Sequence, residues 1–178
     1  PIACCESPKP VRKGRQDDES VISTEFNKMK RISQVILFMA GALVNSWVSA
    51  EEHIVKGIVT QWRPLVTFAQ PGDTVKFMNM IGHDTEALEG MIPEGAEGWK
   101  SKLGEEGFSI TVEKEGAYIY KCTPHISTGM VGAIIVGDAN PPANMAQIDE
   151  NLANIKIARN MVNRAIKKMK KALENKAK

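Results

Sequence analysis

Nine consecutive residues, Cys122-Thr123-Pro124-His125-Ile126-Ser127-Thr128-Gly129-Met130, carry a thiol, an imidazole three positions on and a thioether five positions after that. These are soft or borderline donors, which select copper over hard ions such as magnesium or calcium. A loop of this length closes around one ion. Two further histidines precede it: His83, in Gly82-His83-Asp84, and His53, which is expected at a frayed, surface-exposed chain start. Two imidazoles and a thiolate in a trigonal set, with a long axial methionine, are the donors of a blue-copper centre. Such a set satisfies copper in both valences, so the ion changes charge with little rearrangement. That suits an electron carrier, whereas a catalyst needs an open position. Taken singly, Cys122 reads as a small buried hydrophobe, His125 as a hydrogen-bonded surface residue and Met130 as core filler. Taken together, with the spacing C-x2-H-x4-M and an upstream histidine, the metal reading accounts for all of them at once.

The elements that must hold these residues are strands. Runs rich in Val, Ile, Phe and Tyr occur at 53–60, 64–69, 74–80, 107–113, 117–122 and 130–137, separated by turn signals such as Pro71-Gly72-Asp73 and Glu115-Gly116. Six such runs indicate an all-β sandwich or small barrel. Residues 81–104 lose the alternation; Pro93-Glu94-Gly95 opens a stretch, GAEGWKSKL, expected to hold a helical turn, and long excursions on a β scaffold tend to carry sites. After Pro141-Pro142, Asn144 is expected to cap a helix starting at Met145. Apolar residues at Met145, Ile148, Leu152, Ile157, Met161, Ala165, Met169 and Leu173 recur at helical spacing, which predicts two helices broken near Asn154. Their apolar stripe is expected to cover one face of the sandwich, with the lysines outside; the other reading of a basic amphipathic helix is a membrane surface or an acidic partner.

With 178 residues, 43% hydrophobic and 25% charged, the chain has material for one domain plus some non-globular length, which excludes wholesale disorder and a polytopic membrane protein. The net charge of +2 gives no indication of nucleic-acid binding, but it is unevenly spread: residues 51–140 hold 7 basic and 13 acidic side chains, residues 141–178 hold 9 and 3. From Lys28 the chain reads KMKR, an apolar run from Ile32 to about Val44 and then Val48-Ser49-Ala50, the layout of a secretory signal peptide cut after Ala50. The competing reading, an uncleaved anchor, needs a longer apolar run than Ser33, Gln34, Asn45 and Ser46 leave. The organisation expected is therefore an upstream segment at 1–28, with Met29 the expected start of translation, a signal peptide at 29–50, a β domain at 51–140 and a helical extension of that domain at 141–178. Cys4-Cys5 lies in the upstream segment, with no apolar run before it to fit lipid attachment. Export leaves Cys122 alone in an oxidising compartment, where an unpaired thiol needs burial or a metal.

The stretches PGDTVKFMN, GHD-x-E, GMIPEGAEGWKSKL, GAYIYKCTPH and GMVGAIIVGD, followed by C-terminal helices, resemble the pseudoazurins, a periplasmic branch of the plastocyanin-like cupredoxins. The resemblance implies an eight-stranded Greek-key β-sandwich with C-terminal α-helices. It also implies one type 1 copper held by His83, Cys122, His125 and Met130, with His125 as the electron port. The family is not enzymatic. It shuttles electrons in the periplasm between redox enzymes, nitrite reductase and cytochromes being its type of partner, and a monomer with no membrane contact after cleavage is expected. Lys100, Lys102 and Lys121 match the family's docking ring around the exposed histidine, Ile126 is expected with them on the docking face, and Ile81 and Glu89 stand where lysines are expected. Asp84 replaces the usual asparagine beside the first ligand, which bears on hydrogen bonding to the thiolate, and Ile126 and Thr128 alter the packing of the ligand loop. A copper-handling or storage role on the same fold is the alternative to electron carriage; a redox enzyme with an open coordination position is a third reading, against which Met130 argues.

Overall fold

A computed structural model describes residues 49–178. The upstream segment at 1–28, Cys4-Cys5 and all but the last two residues of the expected signal peptide lie outside the described residues. Eight strands form two four-stranded sheets: β1 (Glu52–Ile58), β2 (Gln61–Arg63), β3 (Val66–Ala69), β4 (Asp73–Met78), β5 (Glu86–Ala87), β6 (Ser109–Val112), β7 (Gly116–Lys121) and β8 (Val131–Val136). One sheet runs β2-β1-β4-β6 and the other β3-β8-β7-β5. The β1–β4 and β3–β8 pairs are parallel and the remaining pairs antiparallel, so the chain crosses between sheets instead of folding as simple hairpins. Two helices follow, α1 (Met145–Leu152) and α2 (Arg159–Lys176). Among the described residues, no helix is long and apolar enough to cross a membrane.

Burial explains the order of layers. β4 alternates, with Asp73, Val75 and Phe77 inward, as a strand with one covered face must. β8 is buried at all six positions, the pattern of a strand covered on both faces. Ile134 and Val136 point into the sandwich with Val55, Trp62, Phe77, Tyr118 and Tyr120. Ala133 and Ile135 point the other way, onto Ile148 of α1 and Val162, Ile166 and Met169 of α2. The helices thus cover the outer face of the second sheet, as the apolar spacing predicts.

Several expectations are corrected. β2 and β5, three and two residues long, lie outside the six apolar runs. The stretch after Pro93 forms no helix; it runs back beside β5, with Ala87 N donating to Trp99 O (3.0 Å), Ser101 N to Thr85 O (2.9 Å) and Lys100 bridging to Glu86. Asn144 stands before α1 but makes no cap bond. Its amide clamps Ala117 instead, accepting from Ala117 N and donating to Ala117 O, both at 2.8 Å. Ile157 is 69% exposed, because the chain leaves helical geometry between the helices and turns at Ala158, whose φ is +57°.

Candidate metal centre

Strand β7 delivers Cys122 to the end of the sandwich, fully buried. The loop beyond it folds on its own backbone: His125 N donates to Cys122 O (3.2 Å), Met130 N to His125 O (3.1 Å) and Cys122 N to Met130 O (2.9 Å). A 3₁₀ turn at Ile126–Thr128 ends on Gly129 at φ +95°, a conformation that glycine adopts without strain. The loop returns to β8 with Met130 fully buried in the cluster that contains Cys122.

His83 arrives from the other sheet. Beyond β4, Asn79 turns at φ +58°, and the Glu106 carboxylate accepts from Asn79 N and Met80 N, both at 2.8 Å. His83 N then donates to Met80 O (2.8 Å), and Gly104 N to His83 O (2.8 Å). The ring lies against Trp62, with centroids 6.2 Å apart, and against the bare Cα of Gly57.

These two loops bring three donors together. Cys122 Sγ is 3.6 Å from His83 Nδ1 and 3.4 Å from His125 Nδ1, and the three ligand atoms all lie within 4.8 Å of one another. The imidazole centroids are 4.9 Å apart. His83 is buried and His125 is partly exposed. Burial pushes the Cys122 thiol up, against the backbone N–H groups of Asp84 and His125, which favour the thiolate, and with the Asp84 charge, which opposes it. Burial also lowers the His83 pKa, reinforced by His125 and opposed by Asp84. Neutral imidazole is the metal-binding form, and a cation supplies the charge that a buried thiolate otherwise lacks. The donor set, two nitrogens and one sulfur with a buried thioether beside them, fits copper.

Asp84 is buried, and its Oδ1 accepts from Thr123 N at 2.5 Å, so it ties the His83 loop to the Cys122 loop. Lys100 and Lys121 both pair with Glu86, at 3.4 and 3.3 Å. Thr123 Oγ1 donates to the same carboxylate at 3.1 Å. Hydrogen bonding from Thr123 and the two lysine charges outweigh the burial that would raise it, and hold the Glu86 carboxyl below its ordinary value. Lys102 is exposed, its backbone N bonded to Glu105 (2.7 Å). Ile126 is half-buried against the helix-facing core. Ile81 and Leu103 are exposed apolar side chains. His53 is not a frayed surface residue: it sits in β1 with Nε2 bonded to Asp73 Oδ2 at 2.8 Å. Sequence reasoning gives no role to Gly57, Trp62 or Glu106, since nothing near them in the chain refers to the metal loop, and it holds Glu86 only as the last residue of GHD-x-E, without its bond to Thr123.

The family profile described as copper binding proteins, plastocyanin/azurin family, matches residues 54–137. A pseudoazurin from Paracoccus pantotrophus is 42% identical over 85 residues, covering 47% of this chain and 57% of that protein. A plastocyanin from Synechococcus sp. is 30% identical over 136 residues, covering 65% of this chain and 98% of that protein. In three dimensions, the chain superposes on the crystal structure of native pseudoazurin from Hyphomicrobium denitrificans with a TM-score of 0.53 and 32% identity, covering 66% of this chain and 97% of that one. The chain belongs to the plastocyanin/azurin family of copper-binding proteins, and its fold is a cupredoxin β-sandwich. Within that family it is pseudoazurin-like, with copper as its cofactor. It spans little more than half the length of the first curated pseudoazurins it matches.

Proposed function

We propose that this protein carries single electrons between redox proteins of the periplasm, through one copper ion held by His83, Cys122, His125 and Met130. Bound copper supplies a one-electron couple. The observation that carries this reading is the pre-assembled donor set: two imidazole nitrogens face one buried sulfur at 3.4 and 3.6 Å, and the loops that hold them are braced by backbone hydrogen bonds at both ends. Little has to move when the charge changes. Met130, fully buried in the same cluster as Cys122, would occupy the fourth position with a soft donor, which supports a carrier over an enzyme.

His125, the partly exposed ligand, is the electron port. Ile81 and Leu103 are exposed apolar side chains for a partner to cover, and Lys100, Lys102 and Lys121 offer positive charge, the first and last tempered by Glu86, which bonds Thr123 of the ligand loop. A redox protein of the nitrite reductase or cytochrome c type, docking through an acidic rim, suits this face. Electrostatics there set the encounter rate more than the affinity. The signal-peptide layout at 29–50 supports export, and a monomer suits a diffusing carrier.

The test is an absorption spectrum of the copper-loaded protein together with voltammetry. An intense thiolate-to-copper band and reversible cycling are expected, and Cys122→Ser abolishes the band while the apo sandwich stays folded. Copper binding without the band, or without reversible re-oxidation, refutes the carrier and leaves a copper-handling role.

A further inference from the structure

Asp73 is the most deeply buried carboxylate among the described residues, 3% exposed. Its Oδ1 accepts from Glu51 N (2.8 Å), and its Oδ2 accepts from Gln70 N (2.7 Å) and bonds His53 Nε2 (2.8 Å). Among the described residues no lysine or arginine pairs with it; His53 is its one ionisable partner. The other side of Glu51 is fixed too, its carbonyl accepting from Thr74 N (2.9 Å). Residue 51 is thus docked just before β1 begins its parallel pairing with β4, and it and the two described residues ahead of it, Ser49 and Ala50, are exposed. Burial alone would raise the Asp73 pKa, but the N–H groups of Gln70 and Glu51 and the His53 imidazole outweigh it and hold the carboxyl below its ordinary value. The site is thus built for an anion, and a cation in place of the neutral Glu51 N–H would add to that stabilisation.

We propose that Asp73 is the receptor for the amino terminus created when the chain is cut between Ala50 and Glu51; this rests on the export reading given above. Hydrolysis breaks the Ala50–Glu51 C–N bond. Water gives its oxygen to the Ala50 carbonyl carbon, which leaves as a carboxylate, and its two hydrogens end as one on nitrogen and one proton, which nitrogen also takes. The neutral amide N–H at Asp73 becomes an α-ammonium group in the same place, and a hydrogen bond becomes an ion pair with a buried anion. Processing therefore adds its stabilisation one residue before Glu52–Thr74, the first register pair of β1 with β4; β1 is the strand that carries Gly57 against His83. The uncut chain holds the same fold more weakly.

Three measurements decide it. The mass of the exported protein is expected to start at Glu51; a different first residue overturns the cleavage point, and with it the proposal. Urea unfolding is then compared for the exported chain and the full precursor, each with and without Asp73→Asn. The substitution is expected to lower the folding equilibrium constant at least tenfold more in the exported chain than in the precursor. An equal cost in both overturns the receptor while leaving export intact. Because the substituted chain is at risk of not folding, the third measurement uses the unaltered exported protein. Its α-amine is expected to react with acetic anhydride at pH 7 at least tenfold more slowly than that of the same chain in urea. Equal reactivity overturns the proposal.

Discussion

A single methyl group at Gly57 tests whether the first copper ligand is placed by packing. A Cβ built there lies 2.9 Å from Asn79 O, 2.9 Å from His83 Cδ2 and 3.4 Å from His83 Cγ. Neither neighbour can withdraw freely. Asn79 turns with positive φ, its N–H held by Glu106, and the His83 ring is backed by Trp62. Two effects oppose each other in Gly57→Ala. Gly57 has no left-handed φ, so alanine reduces the freedom of the unfolded chain at no cost in backbone strain, a gain of about 0.4–1 kcal/mol. Overpacking costs about 1–3 kcal/mol, and contacts of 2.9 Å with a backbone carbonyl and a ring place this site toward the upper part of that range. The clash wins, with a net loss of about 1–2 kcal/mol in the apo protein. Ligand geometry tolerates about 0.5 Å of displacement, so a ring pushed aside by the methyl also weakens the metal site, by roughly tenfold in copper affinity, or about 1.4 kcal/mol. Urea unfolding of the apo chain and competition for copper with a chromophoric chelator measure the two terms separately. An alanine variant as stable as its parent, with unchanged affinity and absorption spectrum, refutes the claim that β1 holds the ring in place.

The remaining expectations concern the axial ligand, the docking face and the helices. Met130→Gln replaces a thioether with a harder amide oxygen, which favours the oxidised ion; copper should stay bound while voltammetry reads a lower potential, and an unchanged potential means that Met130 is not axial. Glu86→Gln frees Lys100 and Lys121 from their shared partner. Stopped-flow association with an acidic redox partner should quicken several-fold at low salt, with the difference lost near 0.5 M salt, where charges are screened over roughly 4–5 Å; an unaltered rate removes these lysines from the interface. Asn144→Ala deprives both backbone groups of buried Ala117 of their side-chain partners. At about 1–3 kcal/mol per unsatisfied group, with Asn144 half-buried so that water recovers part, equilibrium unfolding should show a loss of about 2–4 kcal/mol.

What could be read from the chain was what is written locally. The apolar runs at 74–80 and 130–137 mark β4 and β8. The three ligands of the 122–130 loop lie within nine residues, so spacing alone brings them together. β2 and β5 escaped notice because three and two residues carry no period; they exist only because β1 and β7 offer edges to pair with. Asn144 reads as a helix cap by type and position, but its amide found better partners on a strand 27 residues away. His53 reads as a loose end because its partner, Asp73, belongs to a turn that the sequence shows only as Pro71-Gly72-Asp73.

The same contrast divides the metal site into two parts with different dependences. Cys122, His125 and Met130 are set by one loop whose backbone–backbone hydrogen bonds fall between residues 122 and 131, with Thr123 reaching out to Asp84 and Glu86. Their mutual geometry is therefore a property of loop length and of Gly129, and it tolerates change elsewhere in the sandwich. His83 is set by contacts that are distant in sequence: Gly57 and Trp62 behind the ring, Glu106 beneath the turn, Asp84 bonded across to Thr123. The Sγ–Nδ1 separation of 3.6 Å between Cys122 and His83 thus measures how the two sheets sit on each other. Core substitutions that shift one sheet against the other should degrade the His83 bond first and leave the Cys122–His125 pair nearly intact. Loss of copper in destabilised variants should accordingly begin at the histidine that is buried, not at the one that meets solvent.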